Sequence, residues 1–381
     1  MSKPKVNIAL IGYRFMGRTH SNAYRQAKAF YDLPVEPVLR VLCGRNTAAA
    51  APVAAAFGWQ EVMADWQEVV QRPDIDVVDI STPGYTHHDI AVAAVRAGKA
   101  VICEKPLGNS LAEAQEMAQA AQAAGVPNLC NFNYRWTPAV ALAHQLISDG
   151  ALGVLRHWRS TYLQGWLANP QFPLTWRLRK ETAGAGALGD IGSHSLDLAR
   201  FLVGEVQAVC GMTKTFITER PLPAADQGRA SVAGEGRGAV TVDDATWTLL
   251  RFVNGAMGSA EATRMAPGRF NYNCFEINGS RGSLSFDLER LNELQYFSLD
   301  DPRATQGWRT IHVTAPEHPH MAAWWPAGHS IGYEHTFTHA IVDFLQSYAE
   351  GRSPRSDFRS AAQTQAVMEA VLCSAAGGAW V

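Results

Sequence analysis

The sequence predicts an α/β chain of two domains: a doubly wound parallel sheet over residues 1–132, then an α+β domain over residues 133–381 built on a large, mainly antiparallel open sheet. Three observations predict it. Short apolar runs alternate with helical segments as far as residue 132, and a glycine turn, Gly12-Tyr-Arg-Phe-Met-Gly17, separates the first run from the first helix. Beyond residue 205, runs with period-two alternation succeed one another without intervening helices, the pattern of hairpin-connected strands. A chain of 381 residues is long enough to bury two hydrophobic cores.

The first strand covers residues 6–11, and a helix is expected from about 18 to 30. Strand, glycine turn and helix in succession form the context of a dinucleotide-binding Rossmann fingerprint. Arg14 stands where G-x-G-x-x-G has its middle glycine. Gly12, Arg14, Phe15, Met16 and Gly17 are therefore candidate cofactor contacts. The second strand, 37–43, precedes a helix over 47–57 and ends on Gly44-Arg45-Asn46 with no acidic residue for a ribose hydroxyl. Arg45 suits a 2′-phosphate or the face of an adenine, and the alternative is a plain solvated arginine. The strand over 76–80 ends in the loop Ser81-Thr82-Pro83-Gly-Tyr-Thr-His87, and a helix is expected from about 88 to 97. A strand over 100–103 closes on Glu104-Lys105-Pro106, a helix covers 111–124, and the strand over 128–132 ends at Asn133. Ligands of such sheets bind beyond the carboxyl ends of the strands. That rule puts Gly12, Ser81 to Pro83, Glu104, Lys105 and Asn133 on one rim.

The second domain starts with a helix over 138–149 and a strand over 156–163. A loop rich in aromatics follows, carrying Gln164 and Trp166, then Trp176-Arg177. The segment from Gly184 to Leu202 is a glycine-rich turn running into an amphipathic helix. Asp190 and His194 lie one turn apart on it and can face the same side. Two readings stand side by side: a carboxylate and an imidazole at a ligand site, or an N-cap aspartate and a buried histidine. Strands are expected over 206–216, 243–252, 256–262, 273–278, 283–286, 293–297 and 310–313. Residues 221–240 read as a long surface loop or arm. His318 and His320, two apart beside proline, do not have the spacing of a metal site, and the rings around them suit the border of a small-molecule pocket. Helices over 333–348 and 358–377 end the chain.

The formal net charge of −2 and the lack of a basic cluster argue against nucleic acid and anionic membranes, so the expected partner is a small molecule. No apolar run is long enough to span a bilayer, and residues 1–10 do not read as a signal peptide. The six cysteines are scattered, without redox or metal-ligand spacing, and point to the cytoplasm.

Taken together, the glycine turn, Thr82-Pro83 with His87, Glu104-Lys105-Pro106, Trp176-Arg177 and Gly186-Ala-Leu-Gly-Asp190-x-x-x-His194 stand in an order and spacing that resemble the Gfo/Idh/MocA family of sugar and cyclitol oxidoreductases over nearly the whole chain. Arg14 and Gly84, the latter in the place of a frequent asparagine, depart from the pattern. The resemblance implies NAD or NADP as cofactor, Lys105, Asp190 and His194 as catalytic residues, and Arg177 close to the cofactor. Asn133-Tyr-Arg-Trp-Thr-Pro138 and Thr161-Tyr-Leu-Gln-Gly-Trp166 look closest to the branch that oxidises the 3-hydroxyl of a pyranose, glycoside or anhydrosugar such as levoglucosan. Inositol or cyclitol dehydrogenases and NAD-dependent glycosidases are the alternatives. Tyr134, Arg135, Gln164, Trp166 and Tyr333 are the expected substrate contacts beside Asp190 and His194, although Arg135 could instead pair with a carboxylate and Trp166 could be core. An imidazole with a pKa of about 6.5 makes His194 the natural base. An open sheet with an uncovered face predicts a homodimer or homotetramer.

Overall fold

The computed structural model describes residues 3–224 and 231–381. Strands β1 (Lys5–Ile11), β2 (Glu36–Cys43), β3 (Glu61–Met63), β4 (Val77–Ile80), β5 (Ala100–Cys103) and β6 (Asn128–Cys130) alternate with helices α1 (Phe15–Phe30), α2 (Thr47–Phe57), α3 (Trp66–Gln71), α4 (His87–Arg96) and α5 (Leu111–Ala124). There follow α6 (Pro138–Ser148), β7 (Leu155–Leu163), the short α7 (Lys180–Ala183), α8 (Ser193–Leu202), β8 (Val206–Lys214), β9 (Glu219–Pro223) and β10 (Ala233–Ala239). Then come β11 (Ala245–Phe252), β12 (Met257–Thr263), β13 (Tyr272–Gly279), β14 (Gly282–Asp287), β15 (Glu293–Ser298), β16 (Arg309–His312), α9 (Tyr333–Ala349) and α10 (Phe358–Gly377).

By its internal contacts the chain divides into two compact units, residues 1–137 with 332–363, and residues 138–331 with 364–381. The first is a parallel sheet in the order β3-β2-β1-β4-β5-β6. Its strands are apolar on both faces, so successive residues feed two different cores. Ile8 and Leu10 pack with Tyr24 and Ala27 of α1 and Phe337, Ile341 and Phe344 of α9; Ala9 and Ile11 pack with Ile90 and Val95 of α4 and Met117 of α5. The apolar stripe at 337, 341, 344 and 345 explains why α9 belongs to this unit rather than to residues 133–381 as the sequence boundary has it. Thr338 Oγ1 also donates to Gln26 Oε1 of α1 at 2.6 Å. Sheet order reverses between β1 and β4, which places the switch point beside the glycine turn.

The second unit carries an eight-stranded sheet in the order β16-β15-β14-β13-β7-β12-β11-β8, antiparallel except for the β7–β12 pair. One face buries Trp158, Val209, Leu250, Ile277 and Leu284, covered by α6 and α8. The other face carries Met212, Leu249 and Met257, each more than half exposed. The arm expected over 221–240 is in part a hairpin: β9 and β10 pair antiparallel, with residues 225–230 outside the described ones. Backbone pairing in a glycine- and alanine-rich stretch leaves no side-chain periodicity to read. β3 and α3 were likewise not expected from the pattern, being only 3 and 6 residues long. α1 begins at Phe15 rather than near residue 18, because Arg14 already serves as its N-cap. No helix among the described residues is long and apolar enough to cross a membrane.

Candidate active site

In the first unit the rim is built from the glycine turn upward. Gly12 has φ +116°, and a Cβ on it would lie 2.6 Å from Ser81 Oγ; one on Gly17 would lie 2.1 Å from the Gly12 carbonyl. Both outer glycines of the fingerprint are therefore required by the backbone itself. Arg14 has φ −78° and ψ −150°, a conformation open to any residue, which is why the middle glycine can be replaced. Its side chain is exposed, Phe15 beside it is 68% exposed, and Met16 is half-buried against the core under α1. α1 has no side-chain cap and no acidic residue in its first turn, so its amide end presents positive potential next to an arginine. That donor set fits a dinucleotide pyrophosphate. At the end of β2 the Tyr13 ring fills the place of a Gly44 Cβ, Asn46 Oδ1 accepts from Ala49 N at 3.0 Å, and Arg45 is exposed with no carboxylate next to it in sequence.

Ser81 Oγ reaches the carbonyls of Ile11 and Gly12, tying the β4 end to the glycine turn. Thr86 Oγ1 donates to the Pro83 carbonyl at 2.8 Å and lies 2.6 Å from the Thr82 hydroxyl, which sets the turn after β4. His87, expected at the cofactor, is buried. Its Nε2 and Nδ1 lie 2.9 and 3.0 Å from the carbonyls of Thr82 and Pro106, so it braces the two rim loops from inside, and burial holds its pKa below 6.5. Glu104 also turns inward, where it accepts from His20 Nε2 at 2.9 Å and Asn131 Nδ2 at 2.8 Å. His20 Nδ1 lies 2.9 Å from both oxygens of Asp79, to which Tyr24 also donates. Burial lowers the His20 pKa, but the two carboxylates outweigh it and raise it to about 10; His20 in turn holds Glu104 below its usual value against burial. Lys105 follows directly, half-buried at the mouth of β5. Beyond β6, Asn133 Nδ2 donates to Thr336 Oγ1 at 2.8 Å, and the Tyr134 ring meets the Tyr333 ring edge-on at 6.4 Å. The Arg135 guanidinium donates to the Arg355 carbonyl and Ser360 Oγ, which braces the start of α10.

In the second unit Asp190 sits on a single π turn, Leu188–Gly192, that leads into α8. Such turns recur at functional sites because they displace side chains from the helical register. His194 follows four residues later with its ring 6.1 Å from that of Tyr162. Tyr162 Oη and Gln164 Nε2 both donate to Asn271 Oδ1, at 2.7 and 2.8 Å, and Trp166 Nε1 donates to Gln164 Oε1 at 2.8 Å. Arg264 Nη1 lies 3.4 Å from Asp190 Oδ2. The expected Asp190, His194, Gln164 and Trp166 are thus joined through Tyr162, Asn271 and Arg264. Trp176 and Arg177 stack on one another, with the guanidinium carbon 4.3 Å from the ring centroid. The glycines are not simply room for ligands: a Cβ on Gly186 would lie 1.8 Å from the Asp243 carbonyl, and one on Gly192 would press on Ala262. Among the described residues no cluster of side chains has the make-up of a metal site.

Two family models match the chain, "Oxidoreductase family, NAD-binding Rossmann fold" over residues 6–132 and "GFO/IDH/MocA C-terminal domain" over residues 140–285. The chain is 44% identical to a levoglucosan dehydrogenase of Pseudarthrobacter phenanthrenivorans over 381 aligned residues, 99% of this chain and 97% of that one. It belongs to the Gfo/Idh/MocA oxidoreductase family. A crystal structure of an oxidoreductase domain protein from Kribbella flavida superposes with a TM-score of 0.94 at 47% identity, covering 100% of this chain and 99% of that one. A levoglucosan dehydrogenase in complex with NADH and levoglucosan superposes with a TM-score of 0.94 at 44% identity, covering 99% and 98%. As a Gfo/Idh/MocA member the protein is an NAD(P)-dependent oxidoreductase acting on CH–OH groups.

His20 and Asp79 belong to no motif, although a carboxylate inside the apolar run Val-Val-Asp-Ile is a signal that a buried cation faces it. Asn271 and Thr336 carry no sequence signal, since their partners lie 107 and 203 positions away.

Proposed function

We propose that this protein oxidises the 3-hydroxyl of a pyranose, glycoside or anhydrosugar of the levoglucosan type to the keto sugar, with NAD or NADP as hydride acceptor. One observation carries the reading: the near full-length identity to a levoglucosan dehydrogenase, 44% over 99% of the chain. The chemistry of the site residues supports it. A secondary alcohol must lose a proton from oxygen and a hydride from carbon, and the nicotinamide, when bound, takes the hydride. His194 takes the hydroxyl proton, and Asp190, four residues earlier, orients the imidazole and accepts from a neighbouring sugar hydroxyl. Lys105 donates to the oxygen as it becomes a carbonyl. The Trp166 indole, its Nε1 held by Gln164, offers an apolar face to the C–H side of the ring, while Tyr134 and Tyr333 supply further substrate contacts. Gly12, Arg14, Phe15, Met16, Gly17, Ser81, Thr82, Pro83, Asn133, Trp176 and Arg177 hold the dinucleotide. Arg45 and the lack of an acidic residue at the β2 end leave the adenosine end open to a 2′-phosphate, so NADP is accepted beside NAD. His87 and Glu104 serve the rim from behind.

The exposed sheet face with Met212, Leu249 and Met257 pairs subunits into a homodimer or homotetramer, and the cytoplasm is the compartment. The test is a panel of levoglucosan, alkyl glucosides, free pyranoses and inositols, each with NAD and with NADP, read by formation of reduced cofactor. Stoichiometric reduction fastest with levoglucosan or a glucoside is expected. Preference for an inositol, or product release from a glycoside without accumulation of reduced cofactor, would contradict the reading.

A further inference from the structure

We propose that Arg264 is the positioning residue for the Asp190 carboxylate. Arg264 is the first residue after β12, and its side chain is completely buried. A buried guanidinium requires a counter-charge and acceptors for its hydrogen bonds, because an uncompensated one is strongly destabilising. Among the described residues, Asp190 is the one carboxylate within ion-pair distance of it, Nη1 to Oδ2 at 3.4 Å. Nη2 donates to the Asp243 carbonyl at 3.1 Å, and the guanidinium carbon lies 6.0 Å from the Trp166 ring centroid. The other buried guanidinium of this region, Arg220, gives its hydrogen bonds to the carbonyls of Leu167 and Asn169 and so does not compete for Asp190.

Asp243 completes the device. Its carboxylate accepts from Gly186 N at 2.7 Å and Leu188 N at 2.8 Å, the two amides leading into the π turn that carries Asp190. Its carbonyl packs so closely on Gly186 that a Cβ there has no space. One aspartate thus fixes the backbone before Asp190 while its carbonyl fixes the arginine that faces the Asp190 side chain. With Oδ2 directed at Arg264, the orientation of the carboxylate is set from outside its own helix. The same guanidinium carbon is 6.0 Å from the ring centroid of the indole proposed to cover the sugar, so one cation faces both the carboxylate and the ring.

The inference rests on the assignment of Asp190 to the reacting site, and the experiment separates the two. Wild type, R264Q, R264K, D190N and the R264Q/D190N double variant are assayed for kcat and KM with the sugar oxidised fastest in the panel, alongside NADH binding by fluorescence and thermal unfolding. R264Q is expected to lower kcat roughly 10- to 100-fold, the range of close charge-pair couplings, with NADH affinity unchanged within about threefold. In the D190N background the same substitution is expected to add less than about threefold, and R264K to recover part of the loss. Equal losses in the two backgrounds, with a matching fall in melting temperature, would assign Arg264 a purely structural role and overturn the inference. Near-normal turnover of D190N would instead overturn the catalytic assignment of Asp190. If R264Q does not fold, R264K in both backgrounds decides between the same outcomes.

Discussion

Replacing His194 with alanine is expected to lower sugar turnover by about 10²- to 10⁴-fold, the usual contribution of a positioned general base. The loss should appear in kcat, because the proposed role of the imidazole is to take a proton that moves only as the reaction proceeds. NADH binding should survive, since the groups that fit a dinucleotide, from Gly12 through Arg14 to Gly17, belong to the other unit of the chain. His194 is 5% exposed, in the first turn of α8, which continues the π turn whose leading amides, Gly186 N and Leu188 N, are held by Asp243. Lys105→Ala should be similar in direction, as it removes the proposed donor to the reacting oxygen. Rapid-mixing and steady-state measurements with saturating NAD check both. Turnover near that of the wild type in either variant would reject the role assigned to that residue.

His20→Leu is expected to destabilise the protein by about 3–5 kcal/mol, the cost of breaking a buried ion pair by removing one partner. The substitution keeps an apolar side chain on the inner face of α1 but strands the Asp79 and Glu104 carboxylates, both buried, without the cation between them. The pH dependence has a definite sign. The folded pKa of His20 is raised to about 10 from an ordinary 6.5, so its contribution to stability is fully present below pH 6.5 and is lost as pH rises through about 10. Glu104, held below its ordinary value of 4.5, contributes above that pH and loses its contribution as the solution is acidified. Urea unfolding from pH 5 to pH 10 should therefore show the wild type losing stability on the alkaline side and His20→Leu losing much less. Identical alkaline slopes would show that the cluster does not carry the linkage.

Much of the fold could be read because it rests on local signals. The alternation of apolar runs with helices, and the glycine turn after Ile11, each depend on residues close in sequence. The closeness of Asp190 and His194 along the chain was legible for the same reason, four positions apart, the first on the π turn and the second in the first turn of α8. What the sequence did not reveal depends on distant partners. The membership of α9 in the first unit follows from packing of Phe337 and Ile341 on α1, more than 300 positions away in sequence for the Gln26–Thr338 hydrogen bond. His87 and Glu104 were recognisable as residues of the rim, but their inward orientation depends on the carbonyls of Thr82 and Pro106 and on His20. Arg135 was recognisable as a polar residue in a site-like motif, yet Arg355 and Ser360 claim its guanidinium. The altered fingerprint is a milder case. Arg14 breaks the pattern of residue types while keeping the backbone angles that the turn needs.

In the proposed reaction a hydride leaves a sugar carbon for the cofactor. Levoglucosan carrying deuterium at C3, incubated with the protein and NAD, tests it most directly when the reduced cofactor and the sugar product are analysed by mass spectrometry. Deuterium recovered on the nicotinamide in a one-to-one ratio with 3-keto sugar is the predicted result. Retention of the label on the sugar, its loss to water, or turnover without net reduction of NAD would contradict the account.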